Sequence, residues 1–387
     1  MDIAKDILVA WRRRFHMYPE ISGTEKETAT FIASELKAMG ISVKENIAGY
    51  GVLGILWGDP NKKCVAIRAD MDALPILEMN DCSYKSQIPG LMHACGHDTH
   101  MAMVLGAAKM LCDNKSGGTV KFIFQPREEK APGGAKDMID SGVLKDQDVD
   151  AVLGTHITNS YPQGSIAIMD GATMALADDF ELSIFGKGGH CASPHQTIDT
   201  ITVAAEAICA LQSIHSRRID PGEPVVLSVG TIYGGTAQNV IPDQVDMSGT
   251  LRCMNYETRD KVLEYMRQTL DGITASWGAS YKLDYLDGYP PVINDPNLNL
   301  IIADVVKELT GAQVIEMAKP MMAGEDFSYY GQEVPSSFFF TGSGSQRCCQ
   351  TWHQNCFDIE EDALLVGAKV LAYSAARIVS ENKKQCL

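Results

Sequence analysis

Two hydrophobic periods alternate along this chain, and the switches between them divide it into three stretches. Over roughly the first 170 residues, short apolar runs at 52–57, 64–68, 120–125 and 151–154 predict strands. Between and before them, 24–39, 99–112 and 134–139 carry helical spacing, and the first of these opens on Thr24-x-x-Glu27, a capping-box pattern, and stops at Gly40. Strands alternating with helices predict an α/β domain built on a largely parallel sheet. The middle of the chain differs. Residues 179–185 alternate polar and apolar, 198–214 form an apolar-rich helix, 225–233 and 244–253 are strand-like, 257–273 is amphipathic, and 281–289 is again a strand. Strand-helix-strand-strand-helix-strand is a small α+β unit of ferredoxin-like type. From Pro290 the α/β pattern resumes, with a helix at 297–309, a strand at 337–341 and a closing helix at 360–380. The economical organisation is a catalytic domain of 1–174 and 289–387 interrupted by an inserted domain of 175–288.

Composition narrows the function classes. Of 387 residues 45% are apolar and 21% charged, a globular balance that excludes disorder for the bulk of the chain. Lys+Arg number 33 against 49 Asp+Glu, a formal net charge of -16 with no basic block, which argues against nucleic acid and anionic membrane surfaces as partners. No apolar run approaches the ~20 residues of a membrane span. The N-terminal apolar stretch precedes Arg12-Arg13-Arg14 rather than following a basic segment, unlike a secretory signal. Eleven cysteines, odd in number and mostly scattered, fit free thiols in a reducing compartment, so the expected location is cytoplasmic.

The chemistry concentrates in the histidines. Met92-His93-Ala94-Cys95-Gly96-His97-Asp98-Thr99-His100 places three of them around a cysteine, and imidazole and thiolate are preferred ligands of zinc-like ions. A plain helix start capped by Asp98 or Thr99 is compatible with the same residues. Glu128-Glu129 would by default be a solvated loop pair. Their position changes that, because in parallel α/β sheets ligands collect outside the carboxyl ends of the strands. Asp70 and Asp72 follow one predicted strand, Glu128-Glu129 a second and His156 a third, so three strands deliver metal-type side chains to one sheet edge. Adjacent glutamates also suit a division of labour, one binding metal and its neighbour acting as general base.

With these residues in view the chain resembles the aminoacylase and carboxypeptidase-type metallopeptidases. The likeness is to their amidohydrolase branch, which includes hippurate hydrolase, auxin-conjugate hydrolases and N-acetyldiaminopimelate deacetylase. It runs through Arg13-Arg14-Phe15-His16 with Pro19-Glu20, residues 68–75, the 93–100 segment, Gln125-Pro126-x-Glu128-Glu129 with Gly133-Gly134-Ala135, and Gly154-Thr155-His156. It continues through Gly186-Lys187-Gly188-Gly189-His190 with Pro194-His195, Asn239-Val240-Ile241-Pro242, residues 249–252, Gly324-Glu325-Asp326-Phe327 and Trp352-His353. The resemblance implies an α/β catalytic domain of phosphorylase/hydrolase-like type with a dinuclear metal site, and an inserted lid and dimerisation domain. It implies that Cys95, His97, Glu129, His156 and His353 bind two divalent ions, manganese or zinc, with Cys95 as bridge. Glu128 matches the general base and Asp72 a carboxylate that orients a ligand. His190 matches a residue that polarises the scissile carbonyl across a dimer interface, Asn239 a substrate donor, and Arg252 the group that holds the substrate's carboxylate. Elsewhere in the wider family a histidine ligand stands where this chain has Asp70. His16, His93, Asp98 and His100 are read as structural.

The implied activity is metal-dependent hydrolysis of the amide bond of an N-acyl amino acid, with a dipeptidase or carboxypeptidase as the alternative. A non-catalytic metal-binding or scaffold homologue would have no need of Glu128. The expected assembly is a homodimer through the inserted domain.

Overall fold

Short apolar-rich runs build the centre of the larger unit. The computed structural model describes residues 1–114 and 117–383, and it divides into two compact units. The larger comprises Met1–Gly171, Ile293–Lys319 and Asp326–Leu387; the smaller, Ala172–Val292 with Pro320–Glu325. The short return segment joins the smaller unit through backbone pairing: Ala175 N donates to Met321 O at 3.0 Å and Met321 N to Thr173 O at 2.9 Å.

The larger unit holds an eight-stranded sheet. Its middle strands are Val120–Gln125, Val65–Asp70, Ala151–Pro162 and Ser336–Gly344, adjacent in that order and parallel. Val65–Asp70 and Val120–Gln125 are buried at every position, as expected of parallel strands covered on both faces. Antiparallel Gly51–Leu56 and Ser42–Ile47 extend one side. On the other, Ser165–Ile168 runs antiparallel to Ser336–Gly344 and carries Gln313–Glu316 in parallel. The α/β class with a mostly parallel sheet is therefore as the sequence pattern predicts. Helices Lys5–Met17, His97–Asn114 and Ala363–Ser380 pack together over the sheet around a core that includes Leu8, Met103, Val104, Phe122, Leu153 and Leu371. The reading that no apolar run approaches a membrane span is corrected by Ala363–Ser380, which is long and apolar enough by length and composition, but it is mostly buried in this core.

Three local expectations change. The strand read as 151–154 continues to Pro162, so His156 lies inside it, level with Phe340 on its neighbour. The helix read as starting at Thr99 starts at His97. The capping box does not form: helix Lys26–Ala38 receives no side-chain cap from its own flank, and the Glu20 carboxylate accepts from Glu27 N (3.2 Å) and Thr28 N (2.8 Å) instead. A charged acceptor arriving from the preceding loop displaces the weaker local hydroxyl.

In the smaller unit, Leu176–Phe185, Val225–Gly234, Gln244–Cys253 and Ser280–Tyr289 form a four-stranded antiparallel sheet. Val225–Gly234 lies at one edge, followed by Gln244–Cys253, Leu176–Phe185 and Ser280–Tyr289, and helices Thr200–Arg217 and Tyr256–Trp277 complete a βαββαβ order. Phe180, Leu182 and Ile184 alternate into a core shared with Val203, Leu211, Val262 and Met266. Asp199 and Asn255 cap the two helices by accepting backbone N–H groups.

Candidate metal centre

The parallel middle strands present their carboxyl ends side by side, and metal-type side chains gather there. Asp70 closes its strand and Asp72 follows it, both essentially buried. Asp72 is an organiser. Its Oδ1 accepts from Glu128 N at 3.0 Å, and its Oδ2 from Glu129 N at 2.9 Å and from Ser22 Oγ at 2.6 Å. The preceding peptide adds a third tether, Arg127 N donating to Glu25 Oε1 at 2.9 Å, with Arg127 in the left-handed region at φ 61. Three consecutive N–H groups are thus fixed by two buried carboxylates, which sets the loop that carries Glu128 and Glu129.

Cys95 and His97 sit at the start of helix His97–Asn114. Gly96 between them has φ +96, and a Cβ there would lie 2.3 Å from Ile157 Cγ2, so the turn needs glycine on both counts. His97 Nδ1 donates to the Asp72 carbonyl at 2.9 Å, leaving Nε2 buried without a hydrogen-bond partner. Glu129 Oε1 is likewise buried and without one. His156 Nδ1 donates to Ile157 O at 2.8 Å, which turns Nε2 towards Cys95 Sγ at 3.4 Å. His353 Nε2 lies 3.3 Å from Glu129 Oε1 without hydrogen-bond alignment; His353 is a loop residue at φ 64, held by its own N–H on Ala94 O at 2.9 Å.

Ligand atoms within 4.8 Å of one another form two overlapping triples, Cys95–His97–His156 and Cys95–Glu129–His353, which share the thiol. Glu128 groups with His97 and Glu129 and belongs to neither triple. His100 also comes within reach of Asp70 and His97, but both its nitrogens are engaged: Nδ1 donates to Asp70 Oδ1 at 2.6 Å and Nε2 accepts from Ile157 N at 3.0 Å. It is not available as a ligand. Asp70 is held in turn by Arg68, whose second prong binds Asp326, and Asp326 also accepts from Gln125 and from Gly134 N and Ala135 N.

The electrostatics are those of a site short of cations. Burial works against charge on His97, yet Asp70, Asp72 and Glu129 raise its pKa to about 10. A proton there occupies the lone pair a metal would use. Burial, with Glu129, Glu128 and Asp70 nearby, pushes the Cys95 thiol well above its usual range. A bound cation reverses that tendency and favours the thiolate. Orphaned Nε2 and Oε1 atoms, a mixed N/S/O donor set and surplus negative charge together fit divalent ions.

Of the four residues read as structural, His16, Asp98 and His100 have hydrogen-bonded partners and His93 has none. His16 bridges Asp98 (2.8 Å) and Glu78 (3.1 Å), and buried Arg12 spans Asp98 and Asp358. His93 is fully enclosed with neither ring nitrogen hydrogen-bonded, and burial lowers its pKa to about 3. His190, Asn239 and Arg252 all lie in the smaller unit. His190 pairs with Val240 across a short ribbon, and Asn239 O accepts from Cys191 N at 3.1 Å. Arg252 donates to Thr250 Oγ1 at 2.9 Å and has no carboxylate partner among the described residues.

Residues 66–377 match the model of peptidase family M20/M25/M40. The chain belongs to this family. As an M20 peptidase it is a metal-dependent hydrolase of amide bonds. It is 39% identical over 386 residues to thermostable carboxypeptidase 1 of Saccharolobus solfataricus, covering 98% of this chain and 96% of that one. Against the N-acyl-L-amino acid amidohydrolase of Geobacillus stearothermophilus it is 44% identical over 296 residues, 76% of this chain and 80% of the relative. Among solved structures it resembles the Bacillus subtilis YXEP protein, described as a dinuclear metal binding peptidase, with TM-score 0.86 and 34% identity over 97% of this chain and 99% of that one.

Proposed function

We propose that this M20 peptidase cleaves the amide bond of N-acyl amino acids, carrying an acetyl or an aromatic acyl group, to a carboxylate and a free amino acid. The observation that carries the reading is the pair of donor triples meeting at Cys95 with Glu128 beside them. Cys95, His97, Glu129, His156 and His353 would hold two divalent ions, zinc or manganese, which supply Lewis acidity and make water a nucleophile near neutral pH. Glu128 takes the proton of the attacking water and returns it to the leaving nitrogen as the C–N bond breaks, so the acyl carbon leaves as carboxylate and the nitrogen as amine. Asp72 keeps Glu128 and Glu129 in place through their backbone N–H groups. His190 Nδ1 accepts from Ala192 N at 3.0 Å, which leaves its proton on Nε2 to polarise the scissile carbonyl. Asn239 adds an amide donor, and the unpaired fork of Arg252 binds the substrate's carboxylate. The smaller unit serves as lid and as the contact of a homodimer, and the protein works in the cytoplasm on a small molecule rather than on nucleic acid or membrane.

A carboxypeptidase relative at 39% identity favours a second reading, cleavage of small peptides beside a free carboxylate. Hydrolysis of N-acetyl and N-benzoyl amino acids beside plain dipeptides separates the two. Turnover of the acylated substrates alone supports the deacylase; turnover of dipeptides alone replaces it with the peptidase.

A further inference from the structure

We propose that Trp352 and His100 are positioning residues for His156, acting through the peptide of Ile157, and that they set the ion affinity of the Cys95–His97–His156 triple without entering it. The inference rests on the reading that this triple binds an ion. Ile157 is a hub. Its N–H donates to His100 Nε2 at 3.0 Å, and its carbonyl accepts both His156 Nδ1 and Trp352 Nε1 at 2.8 Å each, using both lone pairs. Because His100 accepts at Nε2, its proton sits on Nδ1 and goes to Asp70 Oδ1, which fixes its tautomer. The His156 ring is held between the two partners, its centroid 4.5 Å from that of His100 and 4.2 Å from the Trp352 ring.

An imidazole's terminal torsion is intrinsically broad, so a ligand histidine points one way only when neighbours make it do so. Here the carbonyl selects the tautomer that frees Nε2, and the two rings close off rotation. Trp352 precedes His353 of the other triple, yet its indole serves His156. The backbone of His353 is anchored separately, on Ala94 O. Loss of the indole therefore acts on one triple and spares the other. An indole that merely filled space would weaken both or neither.

The test titrates Co²⁺ into the full-length, metal-stripped chain, comparing wild type with Trp352→Leu, Trp352→Phe and His100→Ala. Calorimetry counts ions and affinities, and the thiolate-to-cobalt absorption reports Cys95. Wild type should take two ions. Trp352→Leu and His100→Ala should weaken one of them about 10- to 100-fold and leave the other unchanged. Trp352→Phe, which keeps a ring face and loses the N–H, should lie between. Two ions at wild-type affinity in Trp352→Leu, or equal weakening of both, overturns the proposal. A wild-type chain that takes up no Co²⁺ overturns the reading of the triple itself.

Discussion

Replacing Asp72 by asparagine keeps its shape and changes one acceptor oxygen into an amide donor. The wild-type carboxylate is 1% exposed and receives Glu128 N on one oxygen and Glu129 N on the other. An asparagine can accept only one of those two N–H groups, and the other then faces an NH₂ in a buried place. Leaving a buried donor unmatched costs ~1–3 kcal/mol, and hydrogen bonds to a charged acceptor are worth ~1.5–3 kcal/mol each. If that energy holds the glutamates in their working geometry, kcat/KM at saturating metal should fall about 10- to 100-fold in Asp72→Asn, since ~1.4 kcal/mol is tenfold. Asp72→Ala removes both tethers and should lose at least another factor of about 10 on the same scale. The assay is steady-state hydrolysis of the best amide substrate, with bound metal and melting temperature measured on the same samples. Wild-type kcat/KM in Asp72→Asn would refute the reasoning. So would equal losses in the two variants, which would assign the effect to Asp72's charge.

Glu128→Gln should bind two ions and lose turnover by about 10²–10⁴-fold, read from metal content and initial rates. Glu25→Gln should stay close to wild type, because its amide oxygen can still accept Gly23 N and Arg127 N, whereas Glu25→Ala should lose ~1–3 kcal/mol of stability and part of kcat, checked by denaturant unfolding and kinetics. Burial and Arg12 oppose protonation of His16, but Asp98 and Glu78 prevail and raise its pKa. Its stabilising contribution is therefore complete below the unfolded value of ~6.5 and fades as pH rises through the folded one. The gap in unfolding midpoint between wild type and His16→Gln should accordingly be wider in mildly acidic than in alkaline buffer. Arg252→Met should raise KM about 10- to 100-fold for substrates with a free carboxylate while leaving kcat nearly unchanged, and should be indifferent to the same substrates with that carboxylate amidated.

The parallel strands were legible because buried parallel strands are written as short apolar-rich runs, and their order put Asp70, Asp72 and Glu128-Glu129 at one edge. Cys95 and His97 stood out by local density. His353 did not, since nothing local marks a loop histidine that must travel from the far end of the chain; only the resemblance singled it out. Ser165–Ile168 and Gln313–Glu316 are too short to show a period. Arg12 entered only as one of three consecutive arginines after an apolar stretch, yet it is buried against Asp98 and Asp358, because pairing over long sequence separations leaves no local pattern. The Ile157 hub is a backbone feature, invisible in any side-chain motif. The tether between the Glu25 carboxylate and the Arg127 N–H likewise uses a main-chain donor 102 residues away, so local sequence gave no hint of it.

If the donors meeting at Cys95 hold two ions on which amide cleavage depends, activity must follow occupancy of that site. The most direct measurement strips the wild-type chain of metal, returns Zn²⁺ or Mn²⁺ in known amounts, and follows hydrolysis of an N-acyl amino acid against ions bound per chain. The stripped chain should show no turnover, and activity should recover fully as the ratio reaches about two. Undiminished turnover without metal, or recovery that ignores occupancy of this site when Cys95 is replaced by serine, would contradict that dependence.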